Sequence, residues 1–133
     1  MKTLVFATQN KYKIMEISSV LKKVLAPKQS RKWNIAGLDE VGIFEEIPET
    51  SITLEGNALQ KALYVFKKTG HDCFADDTGL EIEALGGEPG VYSARYAGPQ
   101  KNFDDNIKKV LYELKDKKNR IARFRTVIAL VLG

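Results

Sequence analysis

Residues 74–98, FADDTGLEIEALGGEPGVYSARYAG, hold the densest set of groups able to do chemistry. Asp76, Asp77, Thr78 and Gly79 follow directly on apolar Cys73-Phe74-Ala75, which reads as a strand reaching its end. Adjacent carboxylates repel, and glycine raises the entropy lost on folding, so this run is costly as mere packing. A hard divalent cation such as Mg²⁺ takes carboxylate oxygens and relieves the repulsion. Gly86-Gly87-Glu88-Pro89-Gly90 is turn-rich and leaves room for close ligand approach. Tyr92, Ser93, Arg95 and Tyr96 then supply hydroxyls, rings and a guanidinium. Acids for a metal, glycines for access and one fixed cation point to chemistry on phosphates. The plain alternative is an acidic hairpin followed by a Gly/Pro loop.

The chain around this stretch has the make-up of one globular domain. Its 133 residues can bury a real core, and 44% hydrophobic with 29% charged residues is ordinary for a soluble protein. No apolar run is long enough to span a bilayer, and no membrane partner is expected. The apolar segment 4–7 is too short for a leader and runs straight into Thr8-Gln9-Asn10-Lys11. One cysteine, Cys73, excludes an internal disulfide framework and suits the cytoplasm. One histidine, His71, argues against a His-based metal site or a Ser-His-Asp triad. The net charge of +4 is unevenly spread. Residues 39–60 carry six acids and no Lys or Arg, 74–90 five acids and none, and 101–125 nine bases against four acids. That separation fits a metal-plus-phosphate site better than a uniform nucleic-acid face.

Several elements must position these groups. Residues 4–7 read as a short buried strand, Thr8-Gln9-Asn10 as a polar turn, and Ile14, Ile17, Val20 or Leu21, and Val24 or Leu25 as a helix stopped by Pro27. Side chains just ahead of free helical N–H groups make an anion site, although Thr8 and Asn10 also serve as plain caps. Residues 28–32 read as a basic loop and 33–36 as a second strand. Glu49 follows Ile47-Pro48 as a loop acid. Thr53 caps a helix with an apolar face at Leu59, Ala62, Leu63 and Phe66, ending at Gly70, with Asn57 and Lys61 four apart on it. A further helix begins at residues 102–105 and carries Ile107, Val110, Leu111 and Leu114; a basic loop, 115–120, follows it. In residues 122–126 alternation puts Arg123 and Arg125 on one strand face, and the apolar run 127–132 predicts a strand covered on both sides. Such a strand needs neighbours, and little sequence remains to supply them.

Three blocks together resemble the Ham1/inosine triphosphatase family of nucleoside-triphosphate pyrophosphatases: FATQNKYKIMEI (6–17), PETSITLEGNALQKA (48–62) and ADDTGLEIEALGGEPGVYSARYAG (75–98), with a weaker ARFRTVIALV (122–131). The resemblance implies an α/β fold, a mixed sheet with flanking helices in an elongated two-lobed form, incomplete in this chain. Residues 1–133 would be a single domain, the N-terminal portion of the family's. It implies Mg²⁺-assisted hydrolysis of ITP, dITP or XTP to the monophosphate and pyrophosphate, and a homodimer. By analogy Thr8, Asn10 and Lys13 hold the triphosphate, and Gln9, Lys11 and Tyr12 complete their loop. Glu49 and Asp77 bind metal, Asp77 is also catalytic, and Thr78 and Arg95 contact substrate. Adjacent strand residues face opposite ways, so only one acid of the Asp76-Asp77 pair need meet the metal.

The chain departs from the family at two places. Many members carry Glu where Gly56 stands, with Glu55 here one position earlier. The base-reading segments, an aromatic-glycine-aspartate loop and a Ser-His-Arg run, do not occur. Three other readings stand beside the enzyme: an inactive fragment of it, a basic nucleic-acid-binding module around residues 108–125, and an aspartic protease suggested by Asp77-Thr78-Gly79. The helical patterns argue against the protease, and no nucleic-acid signature accompanies the basic stretch.

Overall fold

The computed structural model describes residues 2–25, 27–30 and 32–133. In chain order it contains β1 (Lys2–Phe6), α1 (Lys11–Val24), the single turn α2 (Pro27–Ser30), β2 (Trp33–Ala36), α3 (Leu54–Thr69), β3 (Cys73–Ile82), β4 (Pro89–Gly90), α4 (Phe103–Leu114) and β5 (Ala122–Val131). The expected mixed α/β architecture is present. Of the expected loop at 28–32, residues 27–30 form the turn α2, and Arg31 lies outside the described residues. No helix among the described residues is long and apolar enough to cross a membrane.

The sheet is ordered β2-β1-β3-β4, with β5 also on β3. β1 is parallel to β2 and β3, whereas β4 and β5 are antiparallel to β3. β5 pairs with β3 along all of residues 73–82 and so takes one whole edge of it. β1 and β4 must then share the other edge, β1 at Cys73 and Phe74, β4 at Leu80 and Glu81. Between them, residues 75–79 of β3 have a strand on one side only. The sequence reading put the two acids at a strand end. They lie instead in the middle of a ten-residue strand, because β5 supplies an unbroken ladder past them.

α3 covers one face of β3 and β5. Its start is set by Thr53, whose side chain accepts from Gly56 N, and its end by Gly70 at φ 72°. Of the expected face Leu59, Ala62, Leu63 and Phe66, Ala62 is buried and Phe66 packs on the core, whereas Leu59 is exposed; the fully buried apolar stripe is Leu54, Ala58, Ala62 and Val65. Small residues there let the helix lie close to Cys73 and Ala75, and Cys73 Sγ donates to Ala62 O at 3.0 Å. The core comprises Val5, Ala7, Leu38, Ile43, Ala62, Val65, Cys73 and Ala75. On the opposite face Phe6 and Phe74 stack with centroids 4.4 Å apart. α4 anchors the loop after β4 through buried Asn106, which accepts from Ala97 N at 2.8 Å and donates to Ala94 O at 3.0 Å.

β5 is not covered on both faces, contrary to its sequence pattern. Ala129 and Val131 pack on the core, whereas Phe124, Ile128 and Leu130 on the other face are exposed. α3 is the only helix set against β5 among the described residues, and a helix covers one face. Replacing fully buried Ile43 (2% exposed) by Ala should therefore lower unfolding free energy by about 2–5 kcal/mol. Ile128→Ala, at a residue 66% exposed, should stay within about 0.5 kcal/mol in the same urea titration.

Candidate active site

Where β1 ends, the chain swings off the sheet beside the one-sided stretch of β3. Asn10 caps α1, its Oδ1 accepting from Tyr12 N at 3.0 Å and Lys13 N at 3.3 Å. Thr8 Oγ1 accepts from Asn10 N at 3.1 Å. Of the capping roles considered for Thr8 and Asn10, Asn10 fills one, whereas Thr8 bonds the cap residue's own N–H and holds the turn just ahead of the helix. Gln9 Nε2 donates to Glu45 O at 3.1 Å. Glu45 is itself fastened to α3, accepting from Tyr64 OH at 2.8 Å and pairing with Lys68.

The alternation of β3 sends its two acids to opposite faces. Asp76 pairs with Lys13, Nζ to Oδ2 at 3.0 Å. Asp77 shares the face of Cys73 and Ala75, toward α3. Its Oδ2 is buried and has no hydrogen-bond partner. Burial pushes the Asp77 carboxyl above its ordinary range; Lys61 opposes this, nearby Glu49 adds to it, a hydrogen bond from Asn57 opposes it, and Asp76 adds slightly. Lys61 bridges the site. Its Nζ donates to Asp76 O at 2.6 Å, capping a β3 carbonyl on the unpaired edge, and pairs with Glu49 at 2.8 Å.

Glu49 rides on a loop tied to α3 by side chains. Thr50 N donates to Gln60 Oε1 at 2.8 Å, Gln60 Nε2 returns to Thr50 Oγ1 at 2.9 Å, and Ser51 N donates to Asn57 Oδ1 at 2.8 Å. The resulting cavity is about 160 Å³ and is lined by Thr8, Gln9, Glu46, Glu49 and Lys61 among others. It is below the roughly 300 Å³ of an ordinary small-molecule pocket. It suits phosphate and metal rather than a whole nucleotide.

The structure brings some of the expected site residues together and leaves others apart. Thr8, Gln9 and Glu49 line one cavity with Lys61, and Asp77 feels the charges of Lys61 and Glu49; Asn10 caps the helix behind the turn, and Lys13 pairs with Asp76, whose side chain is on the other face of β3. Lys11 and Tyr12 are on the first turn of α1 with their side chains exposed. Thr78 is on the Asp76 face, its hydroxyl 2.8 Å from that of Thr126. Arg95 lies over the Tyr92 ring at 5.4 Å, on the loop held by Asn106. Lys61 and Asn57 were noted in the sequence only as a four-residue spacing; that spacing was the signal that both point into the site. Arg123 and Arg125 do share a face, but both donate to Glu81, at 2.8 and 2.9 Å, and Arg125 also pairs with Glu55. These charges are neutralised in place, and Glu55 is engaged away from Asp77.

Among the described residues no three His, Cys, Asp or Glu converge as a ready-made metal cage. Glu49 and Asp77 nevertheless suit a hard cation, since Mg²⁺ is commonly held by one or two carboxylates with substrate phosphates and water completing its shell. The orphaned, buried Asp77 oxygen fits such a ligand role.

Residues 4–133 match the model of the Ham1 family. The chain belongs to that family. It is 57% identical over 129 residues to a dITP/XTP pyrophosphatase of Flavobacterium johnsoniae, covering 97% of this chain and 63% of that protein. It is 48% identical over 132 residues to the dITP/XTP pyrophosphatase of Bacillus subtilis, covering 98% and 63%. The Ham1 protein structure from Staphylococcus aureus superposes with a TM-score of 0.85 at 35% identity, and that from Coxiella burnetii with 0.86 at 38%; each alignment covers 98% of this chain and 63% of the other. The chain therefore spans a little under two thirds of the length of these relatives.

The geometry also accounts for Gly56. A Cβ there would overlap the Ser51 hydroxyl and lie 2.6 Å from the Ser51 Cβ. Ser51 and Gly56 are thus a matched pair under the Glu49 loop. Gly56→Ala should destabilise by about 1–3 kcal/mol through overpacking despite its better helix propensity. Adding Ser51→Gly should restore much of that loss in a thermal-denaturation double-mutant cycle; simple additivity would refute the pairing. The Glu45 bracket gives a pH signature. Hydrogen bonding from Lys68 above all, then from the backbone and Tyr64, holds the Glu45 pKa at about 2, against 4.5 for the free group. Its contribution is present above the unfolded pKa and lost as pH falls toward the folded one. Between pH 4.5 and 2, Glu45→Gln should lose less thermal stability than wild type.

Proposed function

We propose that this chain carries the phosphate- and metal-binding half of an enzyme that hydrolyses the non-canonical purine nucleoside triphosphates ITP, dITP and XTP to monophosphate and pyrophosphate. The observation that carries this reading is the unpartnered, buried oxygen of Asp77, set with Glu49 and Lys61 beside the capped turn of residues 8–13. The name shared by the relatives, dITP/XTP pyrophosphatase, supports the substrate class. Mg²⁺ as the ion, a homodimer and a cytoplasmic setting belong to the same reading.

Glu49 and Asp77 would hold the ion, which when bound neutralises phosphate charge and lowers the pKa of a coordinated water. Asp77 orients the attacking water and takes its proton. The water oxygen bonds to the α-phosphorus, the bond from that phosphorus to the bridging oxygen breaks, and pyrophosphate leaves with the electron pair. A raised pKa suits Asp77 to that proton transfer. Lys13, steadied by Asp76, and Lys61, steadied by Glu49, supply positive charge where negative charge grows. Both lysines are already anchored, so little reorganisation is needed as charge develops.

Pyrophosphate release from ITP, XTP and ATP with Mg²⁺ tests this in the 133-residue chain. Expected is release from ITP or XTP in preference to ATP, abolished by chelator. Asp77→Asn should lower kcat by about 10²–10⁴-fold with the circular dichroism spectrum intact. A folded wild-type chain that releases nothing would favour the inactive-fragment reading. Equal turnover by Asp77→Asn would remove Asp77 from the mechanism.

A further inference from the structure

We infer that Glu45 is a positioning residue for phosphate binding, holding Gln9 at the cavity by its main-chain carbonyl while its own side chain is clamped to α3; the inference rests on the phosphate-binding reading above. Asn57, Gln60, Lys61, Tyr64 and Lys68 recur at helical spacing and so lie along one stripe of α3. Residues 45–51 run along that stripe in the opposite direction. Ser51 N donates to Asn57 Oδ1 at 2.8 Å, and Thr50 N to Gln60 Oε1 at 2.8 Å. Glu49 then pairs with Lys61 at 2.8 Å, and Glu45 accepts from Tyr64 OH at 2.8 Å and pairs with Lys68. Glu49 and Glu45 are thus fastened to the same helix face.

The clamp at Glu45 engages both carboxylate oxygens. Oε1 takes the Tyr64 hydroxyl and the Lys68 ammonium, and Oε2 takes the Phe44 N–H at 3.2 Å. On either side, Ile43 is fully buried and Ile47 packs on the core. The main chain at Glu45 therefore has little freedom, and its carbonyl is a fixed acceptor. Gln9 Nε2 donates to that carbonyl at 3.1 Å. A carbonyl only accepts, so this bond also sets which end of the Gln9 amide faces Glu45. The Gln9 side chain makes no other hydrogen bond among the described residues. An amide nitrogen carries two hydrogens, and the second is left for a ligand in the cavity that Gln9 lines with Thr8, Glu49 and Lys61. Charge alone argues the other way. Glu45 is an acid beside the cavity residue Glu46, and its field opposes phosphate. Position and charge thus predict opposite results for its removal.

Inorganic pyrophosphate with Mg²⁺, titrated into the 133-residue chain by calorimetry, separates the two. Glu45→Ala, with an unchanged far-ultraviolet dichroism spectrum, should bind it about 3–10-fold more weakly, the usual worth of one hydrogen bond. Glu45→Gln, whose amide oxygen still accepts from Tyr64 and Lys68, should recover most of that loss. Leu59→Ala, at an exposed position of the same helix, should match wild type. Equal or tighter binding by Glu45→Ala, or an equal loss in Leu59→Ala, would overturn the inference. A second measurement keeps the charge of Glu45 and uses no ligand. In nitrogen-15 correlation spectra the Gln9 side-chain NH₂ pair should move on Tyr64→Phe, while the Gln100 pair, bonded to Ala97 O, stays put; an unmoved Gln9 pair would overturn the inference equally. If wild type bound no pyrophosphate, the phosphate reading would fail alone, and the Gln9 response would still decide whether Glu45 positions that side chain.

Discussion

The site depends on an interruption in the hydrogen bonding of β3. One edge of that strand is paired throughout with β5, whereas the other is shared by β1 and β4, which leave residues 75–79 between them. A strand edge exposes backbone groups that must find partners or water. Here Lys61 supplies one of them, donating to Asp76 O. The same ammonium pairs with Glu49, so satisfying the sheet edge also brings a loop carboxylate to the strand. Parallel α/β sheets commonly form their crevices where neighbouring strands part, and this interruption is a local case.

Rigidity around that gap comes from side chains that bind loops rather than from more secondary structure. Residues 8–10 are shaped by the Thr8–Asn10 turn bond and the Asn10 cap and held through Gln9 to Glu45. The Glu49 loop is held by Gln60 and Asn57. All of these attachments except the cap of α1 end on α3, through Tyr64, Lys68, Gln60 and Asn57. That helix is therefore the platform of the site as well as the cover of the core. Its small buried residues, Ala58 and Ala62, allow the close approach that places Asn57 and Lys61 over β3. Gly56 follows from the same crowding, because the Ser51 side chain occupies the space a Cβ would need.

The opposite face of the sheet has a different character. Phe124, Ile128 and Leu130 of β5 are exposed there; away from the sheet, Phe103, Ile107 and Leu111 of α4 are exposed as well. The chain spans 63% of the length of its relatives. The cavity beside Glu49 is of phosphate size. Thr78 and Arg95, both expected at the substrate, stand apart from the Glu49–Lys61–Asp77 group, one against Thr126 and the other over Tyr92.

By itself the sequence determined the α/β class, the helix limits and the chemical inventory. Those are local properties: Thr53, Gly70 and Asn10 act on backbone within a few residues, and apolar periodicity marks each element. The motif blocks also identified Glu49, an unremarkable loop acid on composition alone, through resemblance. Tertiary structure decided the rest. The apolar run of β5 looked like a strand buried on both faces, but burial depends on what lies opposite, and α3 lies against one face while Phe124, Ile128 and Leu130 on the other are exposed. The acids looked like a strand end because glycine follows them, but pairing to a strand some fifty residues away carries β3 straight through. Lys61 and Asn57 were visible only as a spacing, since what a helix face meets is set by packing across the chain. The open edge between β1 and β4 was not legible at all, because it exists only once non-local strands have paired.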